Sequence, residues 1–117
     1  MLIVEDDRDS FLLLKQSLIK TKANIIHASN GKDSVNICAD NPNIDLVIMD
    51  IQLPGLNGLE AMQLIKTGRE SLPIIAQTAH ALAGDKEKYL AFGFNGYIAK
   101  PIILKSLLVM LHKYLKS

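Results

Sequence analysis

The stretch Asp45–Gly58, DLVIMDIQLPGLNG, decides the fold. Four apolar residues, Leu46 to Met49, run straight into Asp50, and a Pro/Gly/Asn loop follows at once. So short a run cannot make a helix, and an unbroken apolar run matches a strand covered on both faces. Asp50 then closes a buried strand, where a charge is costly unless something binds it or it performs chemistry.

Similar runs recur along the chain: MLIV (Met1–Val4), NIIHA (Asn24–Ala28), IIAQ (Ile74–Gln77) and GYIA (Gly96–Ala99). Segments of helical period lie between them. In the last, Leu104, Leu107, Leu108, Leu111 and Leu115 form one stripe, with Lys105, Lys113 and Lys116 off it. Breakers mark the joints, among them Asn30-Gly31, Pro42, Pro54-Gly55, Asn57-Gly58, Pro73, Gly93 and Gly96. Five strands alternating with five helices predict one α/β domain over residues 1–117, a doubly wound, flavodoxin-like parallel sheet with helices on both faces. Among the topologies that right-handed crossovers allow, strand order 2-1-3-4-5 is favoured.

Bulk properties narrow the function. The chain has 117 residues, 49% hydrophobic and 21% charged, which suits a single compact core. A net charge of +1 with no basic block gives no footprint for nucleic acid or an anionic membrane. A single cysteine, Cys38, excludes an internal disulfide. No apolar run reaches membrane-spanning length, and Glu5 and Asp6 come too early for a signal peptide, so a cytoplasmic protein is expected.

In a doubly wound sheet, ligands bind beyond the carboxyl ends of the strands, at the switch point between strands 1 and 3. Those ends carry Glu5 and Asp6 after strand 1, Asp50 after strand 3, Thr78 after strand 4 and Lys100 after strand 5. Three acids against one lysine leave −2, which one divalent cation neutralises. An all-oxygen set suits Mg²⁺ or Mn²⁺, and the neighbouring hydroxyl and ammonium suit a phosphoryl group with Asp50 as nucleophile.

The motifs LIVEDD, LVIMDIQLPGLNG, PIIAQTAHA and GYIAKPI together resemble the receiver domain of two-component response regulators. The likeness covers nearly the whole chain, and TAHALAGDKEKYLAFGFNGYIAKPI looks most like receivers attached to hybrid histidine kinases. The resemblance implies a phosphoacceptor switch rather than an enzyme, with Asp50 phosphorylated from a phosphohistidine of a histidine kinase or histidine phosphotransfer protein. It implies Mg²⁺ held by Asp6 and Asp50, by the Gln52 backbone carbonyl, and by Glu5 through a water. Lys100 would pair with the phosphoryl oxygens, Thr78 would turn onto them, and Tyr97 would follow inward. The Lys100–Pro101 peptide would be cis. An output domain or a fused kinase is an expected companion.

Plainer readings stand beside these. Glu5-Asp6-Asp7 alone reads as a solvated helix start, and Asp7 and Asp9 stay in that reading, capping or flanking the first helix. Thr78 alone reads as a helix cap, Lys100 as a surface lysine and Tyr97 as packing. His80 overhangs the expected site, yet reads equally as a solvent-facing loop residue. His27, His80 and His112 lack ligand spacing for zinc. Cys38 falls with Val35 and Ala39 on an apolar helix face, Met49 and Met62 read as core, and Asn57-Gly58 as a turn into helix 3. A haloacid-dehalogenase-like phosphatase would want an acid two residues after Asp50, where Gln52 stands. A dinucleotide- or flavin-binding module would want a glycine-rich turn after strand 1, where acids stand. A receiver-like interaction module that takes no phosphate is the remaining alternative.

Overall fold

The computed structural model describes residues 1–21, 24–79, 82–100 and 104–114. His80, the Lys100–Pro101 peptide and Leu115 lie outside the described residues. The elements follow in strict alternation: β1 (Leu2–Val4), α1 (Arg8–Ser17), β2 (Ile26–Ala28), α2 (Gly31–Asp40), β3 (Val47–Asp50), α3 (Gly58–Gly68), β4 (Ile74–Thr78), α4 (Asp85–Phe92), β5 (Gly96–Ala99) and α5 (Leu104–Tyr114). One 3₁₀ turn, Ile19–Thr21, follows α1. All pairings are parallel, in the order β2-β1-β3-β4-β5, as the alternation predicts. No described helix is long and apolar enough to cross a membrane.

The two faces of the sheet bury separate clusters, set by the period of two along each strand. Leu2, Val4, Val47, Met49, Ile74 and Ala76 pack with Cys38, Ala61, Met62 and Ile65 of α2 and α3. Ile3, Ile48, Ile75 and Ile98 pack with Phe11, Leu14, Leu107 and Leu111 of α1 and α5. Central strands covered on both sides need unbroken apolar runs, which is why LVIM carries no alternation.

Local chemistry starts the helices where the sequence allows. Asp7 caps α1, accepting from the Ser10 N–H and hydroxyl at 3.2 and 2.6 Å. Asn57 and Glu60 close a reciprocal capping box at α3. Asp7 follows the sequence reading, as do Met49, Met62 and Cys38, all buried, whereas Asn57, read as part of a turn into helix 3, is its cap.

Two expectations need correction. Strand β2 lies at the sheet edge, so Ile26 and His27 are exposed and only Ala28 is buried. On α5, Leu107 and Leu111 are buried, but Leu104 and Leu108 are 45% and 40% exposed. The covered stripe is narrower than the leucine pattern because α5 meets one sheet face only. Met110 and Tyr114 supply its flank.

Candidate functional site

Parallel strands end on one side of the sheet, and the register brings the chemistry-bearing ends together. Val4 pairs with Met49, Asp50 with Gln77, and Thr78 with Ala99. The residues at or just beyond those positions are Glu5, Asp6, Asp50, Thr78 and Lys100. Carboxylate oxygens of Glu5, Asp6 and Asp50 all lie within 4.8 Å of one another. Glu5 and Asp50 are buried, while Asp6 is exposed.

Lys100 bridges the two buried acids. Its Nζ donates to Glu5 Oε1 at 2.6 Å and to Asp50 Oδ2 at 3.4 Å. The surface-lysine reading therefore fails. Asp50 Oδ1 accepts from the Gln52 N–H at 3.0 Å, which ties the start of the following loop to the carboxylate. Thr78 is buried at the end of β4, whereas α4 begins at Asp85 behind Gly84, so Thr78 does not cap that helix. Tyr97 is half-buried on β5, stacked on Tyr89 with ring centroids 6.0 Å apart. Among the described residues its buried hydroxyl has no hydrogen-bond partner, and burial raises its pKa.

One lysine serves two buried carboxylates, and the imbalance falls on Glu5. Desolvation, with Asp50 adding to it, pushes the Glu5 pKa from 4.5 up to about 7, although Lys100 pulls the other way. Burial opposes the Lys100 charge, but Glu5 and Asp50 outweigh it and hold that pKa above the ordinary value. The two directions are compatible: the ammonium stays charged, and the excess negative charge is relieved by proton uptake on Glu5. A folded-state pKa above the unfolded one means stability is lost as pH rises between them. In chelator, the unfolding free energy should therefore fall from pH 4.5 through about pH 7, by at most about 3 kcal/mol. Urea melts across that window check it, and Glu5→Gln should flatten the slope; an unchanged slope would remove Glu5 as its source.

The donor set fits a hard divalent cation. Carboxylate oxygens are the right chemistry, and an octahedral site with bonds of about 2.1 Å spans about 4.2 Å between opposite ligands. The oxygens here lie within 4.8 Å, so modest contraction, or a water between cation and one acid, closes the site.

Three residues that shape this pocket carry no site role in the sequence reading. The His27 Nε2–H donates to the Glu5 carbonyl at 2.8 Å while its ring stacks on Phe11, with centroids 3.7 Å apart. Gln77, fully buried on β4, donates its amide to Glu5 Oε1 at 3.3 Å. Gly58 opens α3 so close to β3 that a Cβ there would sit 2.2 Å from the Asp50 carbonyl oxygen. A polar residue at the buried next-to-last position of an apolar strand marks Gln77 in retrospect; nothing local marks the others. A cleft of about 460 Å³ touches Glu5, Gln77 and Lys100 but neither Asp6 nor Asp50. It is a groove beside α1, separate from the acid cluster's Asp6 and Asp50.

Comparison with known proteins agrees with this geometry. The response regulator receiver domain family model matches residues 1–112. The sensor protein GacS of Pseudomonas syringae pv. syringae is 36% identical over 115 residues, covering 93% of this chain and 13% of GacS. The chain spans only 6% to 13% of the length of such kinase relatives. The receiver domain of sensor histidine kinase PA1611 from Pseudomonas aeruginosa PAO1 was solved with a magnesium ion coordinated in its active site cleft. It aligns at a TM-score of 0.86 with 31% identity, covering 99% of this chain and 96% of that one. The receiver domain of Ssk1 from Saccharomyces cerevisiae, solved with the histidine phosphotransfer protein Ypd1, aligns at a TM-score of 0.85. Its identity is 32%, over 97% of this chain and 86% of that one. With five parallel strands in this order and the acids gathered at their ends, the chain belongs to the response regulator receiver domain family and is a receiver domain of two-component phosphorelay signalling.

Proposed function

We propose that Asp50 is the phosphoacceptor of this receiver, taking a phosphoryl group from the phosphohistidine of a histidine kinase or a histidine phosphotransfer protein. The observation that carries the reading is the buried Asp50 carboxylate sharing an acid cluster with Glu5 and Asp6 while Lys100 reaches its Oδ2 at 3.4 Å. In the transfer, Asp50 Oδ2 forms the new P–O bond as the P–N bond breaks, its electron pair passing to the ring nitrogen; a phosphohistidine ring protonated at its other nitrogen then leaves as neutral imidazole. The Gln52 N–H keeps Oδ1 occupied, so the oxygen beside Lys100 is the one left to react.

Asp6 and Asp50 would hold Mg²⁺ or Mn²⁺ through carboxylate oxygens, with the Gln52 carbonyl as a further ligand and Glu5 acting through a water. When bound, the ion neutralises charge on the phosphoryl oxygens and on the acids around them. Lys100 exchanges part of its contact with Glu5 for a phosphoryl oxygen. Phosphorylation replaces one negative charge by about two, with three acceptor oxygens. Thr78, buried on β4 one residue past the register partner of Asp50, would donate to one of them, and the Tyr97 hydroxyl on β5, without a hydrogen-bond partner among the described residues, gives the aromatic ring a second position to prefer. Together they shift the β4–β5 surface between two states. The phosphohistidine donor implies a cytoplasmic setting. A fused kinase or an output domain accords with the fraction of kinase relatives that this chain spans. Gln52 in place of a proton-donating acid argues against turnover of external phosphoesters.

Acetyl phosphate with Mg²⁺ should add one phosphoryl mass to the intact chain, and chelator should abolish the addition. In the phosphorylated sample the Tyr97 ring resonances should move, and Thr78→Ala should label yet leave them still. Labelling that survives chelation would refute the metal-dependent mechanism.

A further inference from the structure

Gln77 is fully buried one position before the end of β4, in register beside Asp50. Its Nε2 donates to Glu5 Oε1 at 3.3 Å, the oxygen that also receives Lys100 Nζ at 2.6 Å. Its own Oε1 is buried and has no hydrogen-bond partner among the described residues. A buried amide carbonyl left unsatisfied costs folding free energy, and a leucine or methionine of similar volume would fill the place without that cost. Among the described residues, the one polar contact this amide makes is with Glu5. The reverse amide orientation would set two acceptors face to face, so the contact also dictates how Gln77 sits.

From this geometry we propose that Gln77 is a positioning residue of the acid pocket, holding Glu5 Oε1 in place independently of Lys100. The inference rests on the metal-dependent phosphoacceptor reading. A phosphoryl group on Asp50 draws Lys100 toward itself and a divalent cation repels its ammonium, so either one takes from Glu5 Oε1 its shortest contact. The Asp7 N–H reaches only the other oxygen, Oε2, at 3.3 Å. His27 grips the Glu5 main chain rather than its carboxylate. Gln77 is therefore the described donor that stays on Oε1 when Lys100 leaves, and it keeps the carboxylate aimed at a metal-bound water.

Partners that orient metal-holding groups commonly contribute about 10- to 100-fold in affinity; acting here on an acid that reaches the ion through water, Gln77 should contribute about fivefold. The test is titration calorimetry of the full chain with Mg²⁺ alone. Gln77→Leu and Gln77→Met should each weaken Mg²⁺ binding about fivefold while melting at or above the parent temperature. In a Glu5→Gln background, adding Gln77→Leu should change the affinity by less than about twofold, because the coupled partner is already altered. Affinity within twofold of the parent for both single variants would overturn the inference alone. The same loss with or without the Glu5 carboxylate would also overturn it, by showing a general packing effect. A parent protein that takes up no Mg²⁺ would overturn the phosphoacceptor reading as well.

Discussion

Asp50→Asn should accept no phosphoryl group from acetyl phosphate, its mass staying that of the unmodified chain when the parent is fully labelled. An amide offers no anionic oxygen for attack on phosphorus, and the side chain keeps almost the same shape. The Gln52 N–H can still meet Oδ1, as it does in the parent at 3.0 Å, so the loop should not move. The variant also removes one of three clustered carboxylates, and Mg²⁺ affinity should fall on the order of tenfold or more. Asp50 is among the groups that raise the Glu5 pKa, so the Glu5 carboxyl should titrate lower in the variant. Carboxyl carbon shifts measured across pH would report it. Labelling of Asp50→Asn at the parental level would place the phosphoacceptor elsewhere.

Gly58→Ala should be the most damaging single-methyl change near the site. By intrinsic propensity, alanine for glycine in a helix gains roughly 1 kcal/mol. Packing reverses that sign here. The new Cβ would lie 2.2 Å from the Asp50 carbonyl oxygen and 2.7 Å from the Ile51 Cα, both backbone atoms. No rotamer relieves such a contact; either α3 lifts off β3 or the main chain carrying Asp50 shifts. Overpacking of this kind costs about 1–3 kcal/mol or more, so thermal melts should drop by roughly 10 °C. Gly68, the last residue of the same helix, is the control. A Cβ there meets nothing within 4 Å, and Gly68→Ala should be neutral or slightly stabilising. A Gly58→Ala variant that melts with the parent and labels at the same rate would mean the junction of β3 and α3 yields easily.

Sequence patterns reach as far as local chemistry reaches. Asp7 announces itself as a cap, and Asn57-Gly58 as a turn into α3, because capping and turn chemistry act over a few residues of chain. LVIM announces a doubly covered strand because burial on two faces demands apolar residues at both parities. Even the acid cluster is legible, since parallel strands deliver their last residues to one edge whatever lies between them. Patterns mislead at the margins of the sheet. NIIHA looks as apolar as an inner strand, yet β2 has a neighbour on one side only and leaves Ile26 and His27 outside.

The amino-acid order by itself thus determined the alternation of elements, the doubly wound sheet and the identity of the acids, lysine and threonine at its rim. Only the tertiary structure decided how they share charge: that Lys100 sits nearer Glu5 than Asp50, that Gln77 turns its amide to the same oxygen, and that Gly58 leaves room for the Asp50 main chain. The physical reason is range. Periodicity and capping are settled between neighbours along the chain, whereas desolvation, ion pairing and close backbone approach depend on atoms up to 95 residues apart meeting within a few ångströms.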